Sequence, residues 1–199
     1  GLTCMNNRQS FDAFVETAFD AFTAFATDER SRVSIDNVFA AARKADPVLS
    51  TGSRRPVCER YLPALLLADY GDAKLNRMMA CFSNIERHIR WQPRPVSNAT
   101  ASKNFADNHA NGMIIGQGGI AADGSIMIGV SFLGPNVRYP DHDHAPDETY
   151  LVMTAGEFRQ NDDEWFSPGC GGSFYNIRGS KHAMRSGAVP LLAFWVLHV

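Results

Sequence analysis

Cysteine is scarce in this sequence, with four residues among 199, and no two of them form a Cys-x-x-Cys pair. They lie far apart along the chain, at Cys4, Cys58, Cys81 and Cys170. This scatter favours a reduced chain over a disulfide framework. The first residues, Gly1 to Met5, also lack the basic and apolar regions of a secretory signal. We therefore expect a cytoplasmic protein.

Long apolar runs and clusters of one charge are missing as well. No stretch approaches the roughly 20 apolar residues that a membrane-spanning helix needs. Nineteen basic and 21 acidic residues leave a formal net charge of −2, and no run of lysine or arginine stands out. The sequence therefore predicts neither a nucleic-acid partner nor a membrane partner.

The first ninety residues have the apolar spacing of helices. In the first predicted helix, apolar residues recur every three or four positions, at Phe11, Phe14, Val15, Ala18, Phe19, Phe22 and Phe25. Ser10 is the predicted cap of this helix, and Ser34 that of a second helix, which Asp46-Pro47 ends. A third helix is predicted to start near Pro63, and a fourth to run from Leu75 to Ile89. These apolar stripes are typical of packing surfaces.

After Trp91 the pattern changes to short runs of β-branched and aromatic residues that are separated by turn residues. Many short strands without intervening helices predict an antiparallel sandwich or small barrel. We therefore expect two regions: residues 1–91 form a helical N-terminal region that packs on a β-barrel, and residues 92–199 form the barrel. Hydrophobic residues make up 45% of the chain, which suffices for one core with an added helical layer.

The segment HDHAPDETY, residues 142 to 150, holds the candidate site. His142 and His144 are two positions apart, so an extended strand points both to one face, and the same holds for Glu148 and Tyr150. His182, which follows a turn, offers a third imidazole. Imidazole and carboxylate together suit iron, zinc, manganese or nickel. The alternative is a solvated loop rich in His and Asp.

The other histidines do not join this set. His88 lies in the fourth helix pattern, His109 in a polar loop and His198 next to the last residue. We expect solvated or capping roles for all three.

Two segments resemble the motifs of the cupin superfamily. The first motif is His-x-His, three or four residues, Glu, about six residues and Gly; His142-Asp143-His144, Glu148 and Gly156 match it. The second is Pro-x-Gly-x-x-His-x-x-x-Asn; residues 177–186 match it, except that Ile177 replaces Pro and Ser186 replaces Asn. The resemblance covers about the last hundred residues and implies a cupin fold, a small antiparallel β-barrel or jelly roll that holds the metal site. A cupin fold names no function by itself.

A narrower resemblance comes from Glu148-Thr149-Tyr150 together with the helical N-terminal layer and the short length. These features are similar to those of the cupin-type dimethylsulfoniopropionate (DMSP) lyases, in particular the DddQ group. This resemblance implies that His144, Glu148 and His182 bind one divalent transition metal: iron, zinc or manganese. It makes Tyr150 a ligand or near-ligand and the catalytic base, and it places Tyr139 and His142 beside it in the catalytic pocket. It also implies a small zwitterionic substrate; whether the protein is a monomer or a homodimer stays open.

DMSP lyases cleave their substrate by β-elimination to dimethyl sulfide and acrylate, which explains the tyrosine in the motif. Tyrosine has a pKa of about 10, so it needs a nearby cation to become a phenolate base near neutral pH. The sulfonium end needs aromatic faces instead. Tyr139 is the favoured candidate for this contact, and Trp195 a weaker one; the other aromatics considered are Phe132, Trp165 and Phe194.

Three other functions fit the same motifs: a cupin non-haem iron dioxygenase, a cupin sugar isomerase or epimerase, and a non-catalytic cupin that binds a small ligand. Oxygen dependence separates the dioxygenase from the lyase. A sensor usually carries a DNA-binding module, and the helical half lacks a basic recognition helix.

Overall fold

The computed structural model describes residues 6–199. Gly1 to Met5 lie outside the described residues. The predictions about Cys4 and about a secretory signal concern this segment. No helix in the described part is long and apolar enough to cross a membrane. Cys58, Cys81 and Cys170 are free thiols.

Four helices make up the N-terminal part. They are α1 (Asn7–Phe25), α2 (Glu29–Ala42), α3 (Pro56–Leu66) and α4 (Ala73–Glu86). The predicted helical half is therefore helical, but several predicted ends are wrong.

Both predicted serine caps lie inside helices. The cap of α1 is Asn6, whose side chain accepts the backbone N–H of Gln9 while the Gln9 side chain accepts the N–H of Asn6. The cap of α2 is Asp28, which accepts the N–H of Arg30. Ser10 and Ser34 face inward instead. Asparagine and aspartate cap as well as serine does, so local sequence alone did not choose between them.

The proline of α3 was also assigned wrongly. Pro56 occupies the first turn, where a missing N–H costs nothing, and Pro63 lies inside the helix. The fourth helix ends at Glu86, three residues before the predicted end, and Ile89 is buried just beyond it.

The remaining chain forms eight antiparallel strands. They are β1 (His109–Ile115), β2 (Ile126–Leu133), β3 (Arg138–His142), β4 (Glu148–Val152), β5 (Glu157–Gln160), β6 (Ser173–Asn176), β7 (His182–Arg185) and β8 (Leu191–His198). One sheet has the order β1-β2-β8-β4-β6 and the other β3-β7-β5. With the helical layer, this architecture confirms the expected fold class: antiparallel β-sheets of a cupin-type fold with an α-helical N-terminal layer.

The two faces of the larger sheet bury different sets of residues. On β8, Leu192, Phe194 and Val196 join the core shared with the helices, whereas Leu191 and Ala193 join a second core beneath the sheet. Successive residues of a strand point to opposite faces, so this alternation separates the layer under the helices from the interior between the two sheets.

The helices pack on one face of the five-stranded sheet. Helix α2 contacts β8, β2 and β4, and α1 packs against α2 and α4. The ring of Phe194 meets that of Phe82 edge-on at a centroid distance of 4.9 Å and that of Phe14 at 6.2 Å. Phe132 belongs to the same core. Phe132 and Phe194 are therefore packing residues and do not face the candidate site.

Candidate metal and substrate site

Three predicted ligands converge where the two sheets face each other. Glu148 comes from the start of β4, His182 from the start of β7, and His144 from the loop between β3 and β4. The Nε2 atoms of His144 and His182 each lie 3.3 Å from Oε2 of Glu148. One donor atom from each residue lies within 4.8 Å of the others, so the group can hold a metal ion.

Backbone contacts orient both imidazoles. Nδ1 of His144 lies 2.8 Å from the carbonyl oxygen of Pro146, and Nδ1 of His182 lies 3.1 Å from that of Ser180. A carbonyl only accepts, so each Nδ1 carries a proton and each Nε2 faces Glu148, as a donor to the carboxylate when the ring is protonated and as a potential metal ligand when it is neutral. Nε2 of His182 is buried without a hydrogen-bond partner. Metal-binding imidazoles are held in this way, so the donor set fits a divalent transition metal.

The Glu148 carboxylate is almost fully buried, with 4% exposure. Burial acts to raise its pKa, but the imidazoles of His144 and His182 outweigh burial and hold the pKa at about 2. The side chain of Asn176 donates to Oε2 at 3.3 Å, and Gln160 in turn donates to the amide oxygen of Asn176 at 2.9 Å. Gln160 thereby fixes the orientation of the Asn176 amide, so that its nitrogen faces Glu148. This hydrogen bond and the two imidazoles keep the carboxylate ionised.

His142 stands next to this group. Its ring centroid lies 4.1 Å from that of His182, and its Nδ1 faces the carbonyl oxygen of Pro140 at 2.8 Å. Burial, together with a smaller effect of His182, lowers the pKa of His142 to about 3. His142 is therefore a neutral imidazole.

A cavity of about 300 Å³ opens beside the three donors. Strands of both sheets line it, with Arg94, Asn111, Met113, Met127, Ser131, Tyr139, His142, His144, Pro146, Glu148, Tyr150, Met184, Trp195 and Leu197 at its wall. All predicted site residues except His182 reach this wall, and His182 lies in an adjoining crevice with His142 and Tyr150 that is too narrow for a water molecule.

Tyr150 lies on the same face of β4 as Glu148. Its side chain is 3% exposed, and its ring stacks on Phe174 at a centroid distance of 5.1 Å. Burial, followed by the charge of Glu148, raises the Tyr150 pKa well above 10. In the absence of added positive charge, Tyr150 therefore carries a neutral hydroxyl.

A chain of hydrogen bonds fixes the direction of the Tyr139 hydroxyl. The indole N–H of Trp195 donates to Ser131 at 3.0 Å, and the Ser131 hydroxyl donates to the amide oxygen of Asn111 at 2.8 Å. The Asn111 amide nitrogen then donates to the Tyr139 oxygen at 2.8 Å. Because that oxygen accepts, the proton of Tyr139 is free to donate to a ligand in the cavity.

Trp195 is the aromatic side chain best placed for a ligand. It pairs with Gly129 across the strands, and a Cβ at Gly129 would lie 2.3 Å from the indole. Because Gly129 has no side chain, the Trp195 indole can lie directly over this position. Trp165, by contrast, stands under Arg185, whose guanidinium carbon is 4.0 Å from the ring centroid, and is not at the cavity wall.

Tyr139 is less suited to a cationic ligand than the sequence suggested. The guanidinium carbon of Arg94 lies 5.7 Å from the Tyr139 ring centroid. A second cation on this ring would be repelled by Arg94. Arg94 therefore makes Tyr139 a less favourable contact for a cation than Trp195, and the assignment of the sulfonium contact stays a proposal.

His109 was also assigned wrongly. It is the first residue of β1, only 1% exposed, and it stacks on Phe105 at a centroid distance of 3.8 Å. Its Nε2 accepts the backbone N–H of Arg94 at 2.8 Å. His88 and His198 do not line the cavity.

Sequence reasoning missed Arg94, Asn111 and Asn176. Each lies outside the two motifs. Asn111 and Asn176 reach the site through strand pairing, Asn176 opposite Glu148 across β6 and β4. Arg94 comes from the segment that Gln92 attaches to β1. For Asn111 a signal was available: it is a polar residue on a strand face that is otherwise apolar. In the structure it lies opposite Ser131 on β2.

Comparison with known proteins identifies relatives of this chain. A family model described as dimethylsulfoniopropionate lyase matches residues 29–193. Comparison with curated proteins finds no match. A chain from the crystal structures of the DMSP lyases RdDddP and RnDddQII matches with a TM-score of 0.71 and 17% identity, over 98% of this chain and 94% of the other. The DMSP lyase DddQ from Ruegeria pomeroyi DSS-3 matches with a TM-score of 0.69 and 22% identity, over 94% and 91%.

Proposed function

Because this chain belongs to the dimethylsulfoniopropionate lyase family, we propose that it is a carbon–sulfur lyase that cleaves DMSP by β-elimination to dimethyl sulfide and acrylate. The observation that supports this best is the convergence of His144, Glu148 and His182 at a cavity that Tyr150 also lines. The reaction needs a base beside a site that accommodates a carboxylate, and this cavity offers both.

One divalent transition metal, iron, zinc or manganese, is the proposed cofactor, with His144, Glu148 and His182 as ligands and Tyr150 at or near them. A divalent ion in this site supplies positive charge that offsets the charge developing beside the substrate carboxylate and lowers the pKa of a neighbouring phenol. The ionised Glu148 and the two Nε2 lone pairs are the donors that such an ion requires.

Tyr150 is the proposed base. As a phenolate it removes a proton from the carbon next to the carboxylate, and that electron pair forms the double bond of acrylate. The bond between the next carbon and the sulfonium sulfur breaks, its electrons stay on sulfur, and neutral dimethyl sulfide leaves. His142 and Tyr139 complete the proposed catalytic set: His142 as a neutral imidazole beside His182, and Tyr139 as a hydrogen-bond donor toward the cavity.

Trp195 is the proposed contact of the sulfonium end. Aromatic faces attract such cations by roughly 0.5 to 2 kcal/mol. The thioethers of Met113, Met127 and Met184 line the same cavity and offer polarizable apolar contacts for the methyl groups.

The test is to incubate the metal-loaded protein with DMSP in air and anaerobically and to measure dimethyl sulfide by gas chromatography. We expect equal release under both conditions, because the elimination needs no electron acceptor. Release only in air would support the cupin dioxygenase instead, and no release under either condition would contradict the lyase. His198→Ala, at an exposed position, is the matched control for loss of a histidine outside the site.

Three further expectations stay proposals. The protein is cytoplasmic, it is a monomer or a homodimer, and residues 1–91 form a helical region on a cupin barrel of residues 92–199. Cell fractionation tests the first, and light scattering on the purified protein decides between the two oligomeric states.

A further inference from the structure

Arg94 reaches the candidate site from a segment that no motif includes. The backbone of Gln92 bridges to Asn111 on β1, and the N–H of Arg94 donates to the buried His109 at 2.8 Å. These contacts hold the segment along the edge of the larger sheet. The Arg94 side chain then lines the cavity beside Tyr139.

The charge of Arg94 has no carboxylate partner within residues 6–199. Arg54 and Arg138, which are partly buried too, do have one: Arg54 pairs with Glu86 at 2.8 Å and Arg138 with Asp141 at 2.9 Å. Arg55 has none, but its guanidinium donates to the carbonyl oxygens of His109 and Ala106.

Nε of Arg94 is buried and makes no hydrogen bond; the same holds for Nε of Arg138 and Arg159, but those two pair with Asp141 and Asp162 through another nitrogen. Arg94 differs from them in carrying its charge without a carboxylate. Such an arrangement is expected at a cavity whose ligand supplies the missing acceptor.

The shape and charge of the cavity indicate which ligand group Arg94 takes. A guanidinium presents a planar fork of donors that matches the two oxygens of a carboxylate. The free proton of Tyr139 points into the same cavity, and both groups donate, so this end of the cavity suits an anion. The indole of Trp195 and the methionines form the rest of the wall, which suits an apolar or cationic group.

We propose that Arg94 binds the carboxylate of the substrate and thereby makes an anionic group a requirement for binding. The proposal rests on the proposed function for the identity of that substrate, DMSP. The contact with Arg94 orients the zwitterion: the carboxylate lies toward Arg94 and Tyr139, and the sulfonium toward Trp195.

The first experiment measures binding rather than turnover. Propionate, a carboxylate that cannot eliminate, is titrated by calorimetry into the metal-loaded wild type and into Arg94→Gln, Arg94→Lys and Arg90→Gln. We expect Arg94→Gln to weaken binding roughly 10- to 100-fold, as loss of hydrogen bonds to a charged group does. Arg94→Lys keeps the charge without the fork, so its loss should be smaller. Arg90 is exposed and bonds to the carbonyl of Gly118, so Arg90→Gln should bind as the wild type does.

Equal propionate affinity in Arg94→Gln and the wild type overturns the proposal, and so does a wild type that binds no propionate. If Arg94→Gln does not fold by circular dichroism, Arg94→Lys decides: a weakened affinity supports the proposal and an unchanged one overturns it.

The second experiment compares DMSP with its methyl ester, which keeps the sulfonium and lacks the carboxylate charge. We expect the wild type to prefer DMSP and Arg94→Gln to lose most of this preference, chiefly through KM. An undiminished preference in Arg94→Gln overturns the proposal. If the wild type binds propionate through Arg94 but releases no dimethyl sulfide, the proposed function fails while the anion site stands, so the two failures are distinguishable.

Discussion

At the scale of single residues, the site depends on a carboxylate that stays ionised without solvent. Glu148 is held in this state by two imidazoles whose Nδ1 atoms are tied to backbone carbonyls. The sequence spacing places His144 four residues before Glu148, but only pairing between β3 and β7 brings His182 beside His142.

Loss of His182 tests the metal site. We expect His182→Ala to lose most of its metal, because even residues that only orient a ligand change metal affinity by roughly 10- to 100-fold. Elemental analysis of the purified protein measures the metal content, with His198→Ala as control. Full metal occupancy in His182→Ala would remove this residue from the ligand set.

Loss of the Tyr150 hydroxyl tests the base. Tyr150→Phe keeps the ring that stacks on Phe174, so the fold and most of the substrate affinity should remain. Removal of a general base lowers the rate by about 10²–10⁴, and we expect kcat to fall toward the upper end. Tyr61→Phe, in α3, is the control. A Tyr150→Phe enzyme with normal metal content and the wild-type rate would end this assignment.

Protonation of His109 should destabilise the fold. Burial lowers the His109 pKa below 6.5, and its Nε2 accepts an N–H, so a protonated ring would set two donors against each other. Since the folded pKa lies below the unfolded one, this contribution is present above about pH 6.5 and is lost as the pH falls. Between about pH 8 and pH 5.5, the melting temperature of His109→Gln should therefore fall by less than that of the wild type. His198→Gln is the control, and equal losses in the wild type and His109→Gln would contradict the prediction.

At the scale of elements, the helical layer is attached to the sheet through aromatic rings and one polar contact. Phe82 of α4 meets Phe194 of β8, and Thr149 of β4 donates to Ser31 of α2 at 3.0 Å. Thr149 lies between Glu148 and Tyr150, so the strand that carries two site residues is held from behind by the helix.

Truncation of Phe82 tests this packing. Phe82 is fully buried, and Phe82→Ala should lower the free energy of unfolding by about 3–5 kcal/mol through lost contacts and a cavity. Leu67→Ala, at a residue that is 88% exposed in the same layer, should change it by less than about 0.5 kcal/mol. Denaturant unfolding followed by circular dichroism measures both; equal effects of the two substitutions would show that the helices are loosely attached.

At the scale of the whole molecule, one hydrophobic core runs through the helices and the larger sheet. Phe14, Phe82, Ile128 and Phe194 belong to the same buried cluster. The change from helical to strand pattern near Trp91 therefore divides the sequence without dividing the core.

The shared core predicts one cooperative unfolding transition. The four helices all end before residue 87, whereas the three tryptophans lie at 91, 165 and 195. Far-UV circular dichroism and tryptophan fluorescence thus report mainly on different parts, and their denaturation midpoints should coincide. Phe82→Ala should shift both midpoints together. Helix loss at a lower denaturant concentration than the fluorescence change would show that the helical region unfolds independently.

Local patterns in the sequence were enough to predict the helical half, the β half and the placement of His144 beside Glu148, whereas His182 joined them as a ligand only through the resemblance to known families. Helical and strand periods involve near neighbours in the chain, and the motif spacing is short, so neither depends on the tertiary fold. The roles of these residues as ligands, and of Tyr150 as base, stay predictions.

The tertiary structure alone decided the helix ends, the burial of His109 and the presence of Arg94 at the cavity. Several residues near each predicted end are equally good caps, so packing selects among them. Asn111 and Asn176 reach the site through pairing between strands that are distant in sequence, and no local pattern encodes which residues face each other across a sheet. Arg94 reaches it from a segment attached to the edge strand β1. The fold also brings Arg94 to the Tyr139 ring, and for this reason Trp195 is the proposed contact for the cationic group.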